Sequence, residues 1–444
     1  MTACRLGTLL VLAGILGPAT ARGQEPLALD TAVRTVLAQN ASLRAARAAA
    51  SEAGERVTAA RSGYFPRVSV AESWQRGDQP VYVFSSLLSA RNFTAADFTL
   101  DALNHPDPVG FFQTRFGVEQ LVFDFGRQGA SAGAASLHRD IATLTVDQAA
   151  ADLALAATRV FGEVLNAQSA ARASRESLTA AREDLARAER RRDAGVATEA
   201  DVLALKVHVA DVEQQAIQAE GTAAIARAEL NRLMGTPVDR EFVATPPPDV
   251  ELAESPSLTA LLSEAEAGRP ELRRAALQER LAESGRQEAR AAYLPSVAAR
   301  GVFDVAGTAF DDRATSWIVG AEVRWSFSTG GAEVAGARAA SHALARARAE
   351  REDARAAIHL DVVRALRGLE AARARVVAGR AGVAEALESQ RIIRDRFDAG
   401  IASVNDVLRA STAVLDAEAS RTSALVDAVV HEAMLDRAIG RTRQ

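Results

Sequence analysis

The chain has almost no cysteine, few aromatic residues and little net charge. Its one cysteine, Cys4, precedes the first apolar run, so the rest of the sequence excludes disulfides, thiol catalysis and cysteine-ligated metal. Aromatic residues make up 5% of the 444 residues, and the formal net charge is −5. A charge so close to balance gives no indication of a nucleic-acid partner.

Long hydrophobic runs are also missing. After residue 21, no stretch reaches the roughly 20 apolar residues that a membrane-spanning helix needs. If the chain crosses a membrane, β-strands closed into a barrel must make the crossing, because lipid offers no hydrogen-bond partner to an open strand edge.

Motifs for catalysis are scarce as well. The six histidines lie at positions 105, 138, 208, 342, 359 and 431, with no pair at metal-ligand spacing on one helical face. The Gly-containing segment 328–331 lacks the lysine of a phosphate-binding loop. We therefore expect the protein not to be an enzyme and to carry neither cofactor nor metal.

The sequence does begin with the pattern of a secretory signal peptide, at residues 1–21. Arg5 supplies a positive start, Leu6 to Leu16 form a short apolar run, and the small residues 19–21 offer a cleavage site. An uncleaved anchor helix would need roughly 18 or more apolar residues. We expect the mature protein to be exported and to begin near Arg22.

The most informative feature is that the chain repeats one plan twice. The segment 64–66 (Tyr-Phe-Pro) returns as 293–295 (Tyr-Leu-Pro), and 193–196 (Asp-Ala-Gly-Val) returns as 398–401 (Asp-Ala-Gly-Ile). Two copies of about 200 residues therefore share one architecture. We place the first repeat at 22–235, a Pro-rich linker at 236–256 and the second repeat at 257–444.

Each repeat predicts a helix, two strands and a long helical hairpin, in that order. The first helix is predicted from Asp30 to Ser62, because the residue before Pro66 is pushed out of helical geometry. Apolar and alanine positions three and four residues apart indicate coiled-coil seams along the hairpins. The strands are predicted at about 67–76, 113–125, 296–305 and 316–328, and the long helices at about 128–193, 199–234, 332–397 and 403–440.

The last predicted strand has the pattern of a lipid-facing barrel strand. Its residues 317, 319, 321, 323 and 325 are apolar and begin and end with tryptophan, whereas the residues between them become polar. Any one strand would also fit an ordinary half-buried sheet, but four strands between heptad helices in an exported chain favour the membrane. Because four strands cannot enclose a channel, several copies must share one barrel. The predicted aromatic girdle consists of Trp74, Trp317 and Trp325.

These features resemble the TolC family of outer-membrane efflux proteins. The strongest sign is the pattern Gly-x-x-x-x-x-Asp-Val-Leu, which occurs at 195–203 and again 205 positions later at 400–408. The resemblance covers essentially the whole mature chain and implies a mainly α-helical homotrimer. Each subunit would contribute four strands to a twelve-stranded barrel in outer-membrane lipid, continued by a helical barrel in the periplasm. The implied partners are a periplasmic adaptor and an inner-membrane pump of the RND or ABC type.

By the resemblance, the turns at Gly195 and Gly400 lie at the periplasmic tip and dock the adaptor. Glycine permits the left-handed backbone that ends a helix, and Thr198 or Ser403 can cap the next one. A well-made helical turn would account for much of this pattern, so the docking role comes from the resemblance alone. The predicted docking residues are Gly195, Val196, Thr198, Asp201, Gly400, Ile401, Ser403 and Asp406.

The resemblance also places Asp406 at the lumen, near a constricted tip. A threefold ring of carboxylates there would favour cations. Arg409 stands where the best-known family member has a further Asp, and Ala402 replaces that member's tip arginine, whereas Phe397 matches an aromatic position. The predicted gate residues are Asp406, Arg409 and Phe397, and a mixed ring of both charges predicts weak cation selectivity.

Two further segments carry predictions of their own. Residues 77–110 hold 26 more residues than the second repeat has there, and we expect them outside the cell. They would form a long, partly ordered surface loop, or a cap that folds over the barrel mouth or packs on a neighbouring subunit. The linker contains three consecutive prolines at 246–248, which predict an extended strap around the helical barrel.

The sequence therefore predicts a passive trimeric outer-membrane channel that exports small molecules for an inner-membrane pump. Two alternatives stay open. An exit duct for protein secretion would share every feature described above. A soluble periplasmic coiled-coil adaptor would explain the hairpins and the signal peptide, but not the strand bounded by tryptophans.

Overall fold

The structure is a computed structural model that describes residues 25–195, 198–246, 257–326 and 328–441. The predicted signal peptide, the tip residue Val196 and residues 247–256 of the linker lie outside the described residues. The helices are α1 (Leu29–Gln39), α2 (Ala41–Arg61), α3 (Pro80–Ser89), α4 (Leu100–Asn104), α5 (Arg127–Asp193), α6 (Glu199–Met234), α7 (Leu258–Gly268), α8 (Pro270–Ala291), α9 (Ala332–Asp398) and α10 (Val404–Ile439). The strands are β1 (Glu25–Leu27), β2 (Arg67–Gly77), β3 (Val109–Phe123), β4 (Phe242–Ala244), β5 (Ser296–Gly307) and β6 (Ala314–Arg324).

The chain divides into two compact units. The first consists of Met1–Val36, Ala157–Glu251 and Val376–Asp427, and it holds the turn ends of both long hairpins. The second consists of Leu37–Ala156, Leu252–Arg375 and Ala428–Gln444, and it holds the large sheet. No helix in the described part of the chain is both long and apolar enough to cross a membrane.

The second unit contains a four-stranded antiparallel sheet in the order β2-β3-β5-β6. The outer pairs, β2 with β3 and β5 with β6, each keep continuous register over eleven residue pairs. One register shift interrupts the central pairing, between Leu121 and Phe123 of β3. β2 and β6 are the edges of the sheet, and neither has a second neighbour within the described ranges.

One face of this sheet is exposed and mostly apolar, with one carboxylate, Glu72, that pairs with Arg313 at 3.0 Å. Trp317 is 75% exposed and its neighbour on the same face, Val319, is 71% exposed. Exposed apolar patches of this kind mark surfaces that contact lipid or another protein. The face is built from Val68, Val70, Trp74, Phe116, Val118, Phe303, Trp317, Val319 and Val323.

The opposite face carries charges of both signs that compensate one another across strands. Arg115 of β3 donates two hydrogen bonds, of 2.9 and 3.3 Å, to the carboxylate of its cross-strand partner Asp304. Arg300 of β5 lies 3.7 Å from Glu119 on one side and 3.6 Å from Glu322 on the other. The sheet therefore has one apolar and one polar face, as the alternation in the sequence predicts.

In the second unit, α7, α9 and α10 share a hydrophobic core. Its fully buried members include Leu261 of α7, Val362 of α9 and Ile439 of α10. The turn between α7 and α8 packs directly against the end of α10, because Gly268 and Gly440 bring the two backbones into contact. This contact needs two residues without a Cβ atom at the same place.

A buried arginine lies at the same contact between the α7–α8 turn and the end of α10. The side chain of Arg269 is 4% exposed, and its guanidinium donates hydrogen bonds to the carbonyl oxygens of Arg437 and Ala438 at 3.2 and 3.4 Å. These carbonyls belong to the last turn of α10, where a helix leaves carbonyl oxygens without partners of its own, and that of Arg437 also accepts from the N–H of Gly440 at 3.1 Å. Glu271, at 2.9 Å, and Asp361, at 3.5 Å, balance the charge of Arg269.

In the first unit, the segment after α6 folds back on the helix through a fully buried asparagine. The Nδ2 group of Asn231 donates to the carbonyl oxygens of Val238 and Arg240 at 3.2 and 2.8 Å. Beyond this turn, β4 pairs in parallel with β1, which brings the start of the described chain to the linker. The sequence did not predict this two-stranded sheet.

Two helices stand where the sequence predicts one helix from Asp30 to Ser62, so that prediction is wrong at Asn40. The backbone of Asn40 is extended, with φ −62° and ψ 130°. Its side chain accepts hydrogen bonds from the backbone N–H groups of Ser42 and Leu43 at 2.9 and 3.3 Å. Asparagine favours such a cap over helix continuation, and α2 therefore starts afresh.

Residues 77–110 are more ordered than the surface loop that the sequence predicts. α3 begins at Pro80, whose fixed φ suits the first turn of a helix. The ring of Phe93 makes edge contacts with Phe84 and Phe98, at centroid distances of 5.0 and 6.2 Å. The segment thus has a small aromatic cluster of its own.

Candidate functional site

The candidate site lies at the turn ends of the two long helical hairpins, in the first unit. Gly195 and Gly400 both have left-handed backbones, with φ of 78° and 75°. At the second turn, Gly400 donates its N–H to the carbonyl of Phe397 at 3.0 Å, and Ile401 donates to that of Arg396 at 2.8 Å. This double closure of a helix end requires positive φ, which explains the glycines.

The two turns then start the next helix with the same capping box. The Oδ2 atom of Asp201 accepts from the backbone N–H of Thr198 at 3.1 Å and from its hydroxyl at 2.7 Å. The Oδ2 atom of Asp406 accepts from Ser403 in the same two ways, at 2.9 and 2.7 Å. In return, each hydroxyl accepts a hydrogen bond of 3.3 Å from the N–H of its aspartate.

These caps keep both aspartates ionised. Hydrogen bonds from the hydroxyl and then the N–H of Ser403 lower the pKa of Asp406, and the positive charges of Arg409 and Arg396 lower it further. Hydrogen bonds from Thr198 lower the pKa of Asp201 in the same way. Each turn therefore presents a carboxylate that remains negative down to acidic pH.

A small core and a cleft lie between the ends of the two hairpins. Val202 and Leu205 of α6 are buried, and Val404 and Leu408 of α10 pack against them. Beside this core is a cleft of about 550 Å³. Phe397 forms part of its wall, under the guanidinium of Arg191, which lies 5.2 Å from the ring centroid. This is the geometry of a cation–π contact.

The structure separates the three predicted gate residues within one chain. Phe397 lines the cleft, whereas Asp406 and Arg409 are not among the residues that line it. The carboxylate of Asp406 caps its own helix, and the positive charge of Arg409 lowers the pKa of that carboxylate. No local pattern in the sequence indicates Arg191, because its contact with Phe397 joins helices about 200 residues apart.

The predicted docking residues lie on the surface of the turns. Gly195, Thr198, Gly400 and Ser403 are exposed, and Ile401 is 68% exposed. Asp201 and Asp406 are half-buried, and Val196 lies outside the described residues. An exposed isoleucine at a helical turn is available for contact with another protein.

The three predicted girdle tryptophans all lie at the sheet of the second unit. Trp74 and Trp317 are on its apolar face, and Trp74 is 59% exposed. Trp325 follows β6, which ends at Arg324, and its indole N–H donates to the carbonyl oxygen of Tyr293 at 3.0 Å. In the ranges that the structure describes, no group of His, Cys, Asp and Glu side chains is arranged to hold a metal ion.

Comparison with known proteins identifies the family. The family described as "Outer membrane efflux protein" matches residues 32–236 and again residues 261–441. The chain belongs to the outer membrane efflux protein family. The double match confirms the duplicated plan and the resemblance to TolC-like proteins, and no curated protein matches the chain.

Solved structures of outer-membrane channels share the fold of this family member. The channel OprN is 20% identical with a TM-score of 0.76, and the alignment covers 94% of this chain and 90% of OprN. VceC of Vibrio cholerae is 17% identical with a TM-score of 0.74, over 94% of this chain and 97% of VceC. CmeC of Campylobacter jejuni is 15% identical with a TM-score of 0.78, over 93% of this chain and 85% of CmeC. These similarities confirm the mainly helical, TolC-like fold.

Proposed function

We propose that this efflux-family chain forms a homotrimeric channel in the outer membrane and passively exports small molecules. The observation that carries the proposal is the exposed apolar face of a sheet whose two edge strands, β2 and β6, each lack a second neighbour among the described residues. Three such sheets joined edge to edge would form a twelve-stranded barrel with Trp317 and Val319 toward lipid. The compensated charges of Arg115, Asp304 and Arg300 would then line its water-filled interior.

The helical hairpins would continue the duct into the periplasm. Their turns, with the exposed Ile401 and the capped aspartates, would meet a periplasmic adaptor, and an inner-membrane pump of the RND or ABC type would supply the energy. The channels OprN and CmeC support this assignment through the shared fold. The chain itself would act as a passive duct without catalysis.

The first test is the assembly state of the mature protein extracted from outer membranes. Light scattering after size exclusion is expected to give the mass of a trimer with a detergent belt. The same material is expected to produce discrete conductance steps in planar bilayers. A monomer or dimer that needs no detergent would contradict the channel and favour a soluble periplasmic coiled-coil protein.

A matched pair of variants separates lipid contact from general damage to the sheet. Val319→Arg places a charge on the apolar face, which costs about 2–4 kcal/mol when that face lies at the bilayer centre, so the yield of membrane-inserted trimer should fall. Ile318→Arg places the same charge one residue earlier, on the polar face, where Ile318 is 67% exposed. The trimer should tolerate this second change, and equal losses in both variants would contradict the proposed orientation.

Asp406 is proposed to lie at the lumen and to contribute a ring of three carboxylates. Asp406→Asn keeps an oxygen for the Ser403 cap but removes the charge, so the preference for K⁺ over Cl⁻ should fall toward unity in reversal-potential measurements. Asp201→Asn is the control, because Asp201 has the same cap in the first hairpin. Unchanged selectivity in Asp406→Asn would rule out its proposed role.

A further inference from the structure

The cleft between the hairpin ends has an apolar wall and an excess of positive charge. Leu205 of α6 and Val407 and Leu408 of α10 form apolar parts of its lining, together with the ring of Phe397. Its volume of about 550 Å³ lies within the usual range of small-molecule sites. A ligand that fits this wall must have an apolar body.

Three arginines line the cleft without an ion pair within 4 Å among the described residues, although the charge of the second lowers the pKa of Asp201: Arg190, Arg191 and Arg394. Arg190 and Arg394 are exposed, and Arg191 stacks over Phe397. Stacking leaves the N–H groups at the edge of a guanidinium free to donate hydrogen bonds. The guanidinium group of each of the three can therefore still bind an anion.

The carboxylates around the cleft are already engaged. Asp184 pairs with Arg187, and Asp201 accepts the hydrogen bonds of its cap. Arginines just outside the cleft are paired as well, since Arg391 contacts Glu388 and Asp395 at 2.7 and 2.8 Å. Two exposed arginines, Arg190 and Arg394, therefore remain at the cleft without an ion pair among the described residues.

We propose that this cleft binds an amphipathic organic anion, with its apolar body on the Leu205 and Leu408 wall and its anionic head on the unpaired arginines. The guanidinium fork matches the two oxygens of a carboxylate or sulfonate. Such a ligand would touch α5 and α6 of one hairpin and α9 and α10 of the other, so it would hold the two turn ends together. This site is additional to the export function and does not depend on it.

The test is calorimetric titration of the full mature protein in dodecyl maltoside with naphthalene-2-sulfonate. Saturable binding is expected, and it should weaken as salt is raised because the contact is ionic. Naphthalene-2-sulfonamide has the same apolar body without the charge and should bind at least about tenfold more weakly. No saturable binding of the sulfonate, or equal binding of both compounds, would overturn the proposal.

Two variants with a matched control locate the site. Arg394→Gln and Arg190→Gln should each weaken sulfonate binding about tenfold. Both residues are exposed and have no ion pair among the described residues, so neither change should disturb the fold. Arg391→Gln lies one turn from Arg394 on the same helix, outside the cleft, and should leave binding within about twofold of the wild type. Binding that is unchanged in both cleft variants would place the anion elsewhere and overturn the proposal.

Discussion

Replacing Arg269 with methionine is expected to destabilise the end of α10 by about 3–5 kcal/mol, the usual cost of removing one partner from a buried ion pair. The change keeps much of the side-chain volume, but it removes one of the two cations of Glu271, which is only 15% exposed and keeps Arg437 at 3.1 Å. It also removes the donors to the carbonyl oxygens of Arg437 and Ala438. Hydrogen exchange of the amides in the last turns of α10 would measure the loss.

The matched control is Arg441→Met, at the other side of the same helix end. Arg441 makes a bidentate contact with Glu264, at 2.6 and 2.9 Å, but its side chain is 57% exposed. An exposed pair contributes at most about 1 kcal/mol. Arg269→Lys should fall between the two, because it keeps the charge but loses the planar fork. Equal effects of the methionine variants at 269 and 441 would show that burial of Arg269 does not determine its contribution.

The second large effect is expected from Gly440→Ala, at the contact between α10 and the turn that follows α7. Gly440 has φ 79°, and a Cβ atom there would lie 2.6 Å from the carbonyl carbon of Gly268 and 2.9 Å from the nitrogen of Arg269. Backbone atoms cannot turn away as a side chain can. The left-handed strain and the forced separation together should cost at least about 3 kcal/mol, seen as a lower thermal midpoint by circular dichroism.

Gly400→Ala isolates the strain from the clash. Gly400 has nearly the same φ, 75°, but among the described residues no atom beyond its own chain neighbours lies within 4 Å of the position that its Cβ would occupy. Its substitution should therefore cost only about 1–2 kcal/mol. If the two alanine variants melt alike, the contact between Gly268 and Gly440 is not a determinant of stability.

The parts of the fold that could be predicted are those that local chemistry specifies. α6 begins after the Thr198 cap and ends before Gly235, whose φ is 71°. The alternation from Trp317 to Val323 predicts which residues of β6 share a face, and the register of the sheet agrees. The duplication of the chain supports these predictions, because the glycine turn and the capping residues occur at equivalent places in both repeats.

What could not be predicted depends on contacts between distant segments or on a choice between two local structures. The pairing of β1 with β4 joins residues more than 200 positions apart. Arg269 carries no local sign of its burial, because Glu271 is its one nearby partner and its other contacts, with α9 and α10, lie 92 and 169 positions away. At Asn40, helix continuation and capping compete, and the apolar period alone cannot decide between them.

In the candidate site, too, the features set by local residue types could be predicted, and those set by contacts between distant segments could not. The capping boxes of Thr198 and Ser403 follow from residue types three positions apart, so the sequence predicts them directly. The contact of Arg191 with Phe397 and the unpaired charges of Arg190 and Arg394 depend on how two hairpins meet. Adaptor docking and ion selectivity at these turns remain predictions that the proposed measurements can decide.

The free edges of the sheet have a consequence for how the protein matures. A lone chain leaves the outer N–H and C=O groups of β2 and β6 without neighbours among the described strands, beside an apolar face. Such a chain is prone to aggregation, because an open strand edge can pair with an extended segment of another chain. If the edges are closed by other copies, the rate of maturation depends on how often newly made chains meet, and stability depends on protomer concentration. Dilution would then lengthen the period in which proteases and chaperones compete for the unassembled chain.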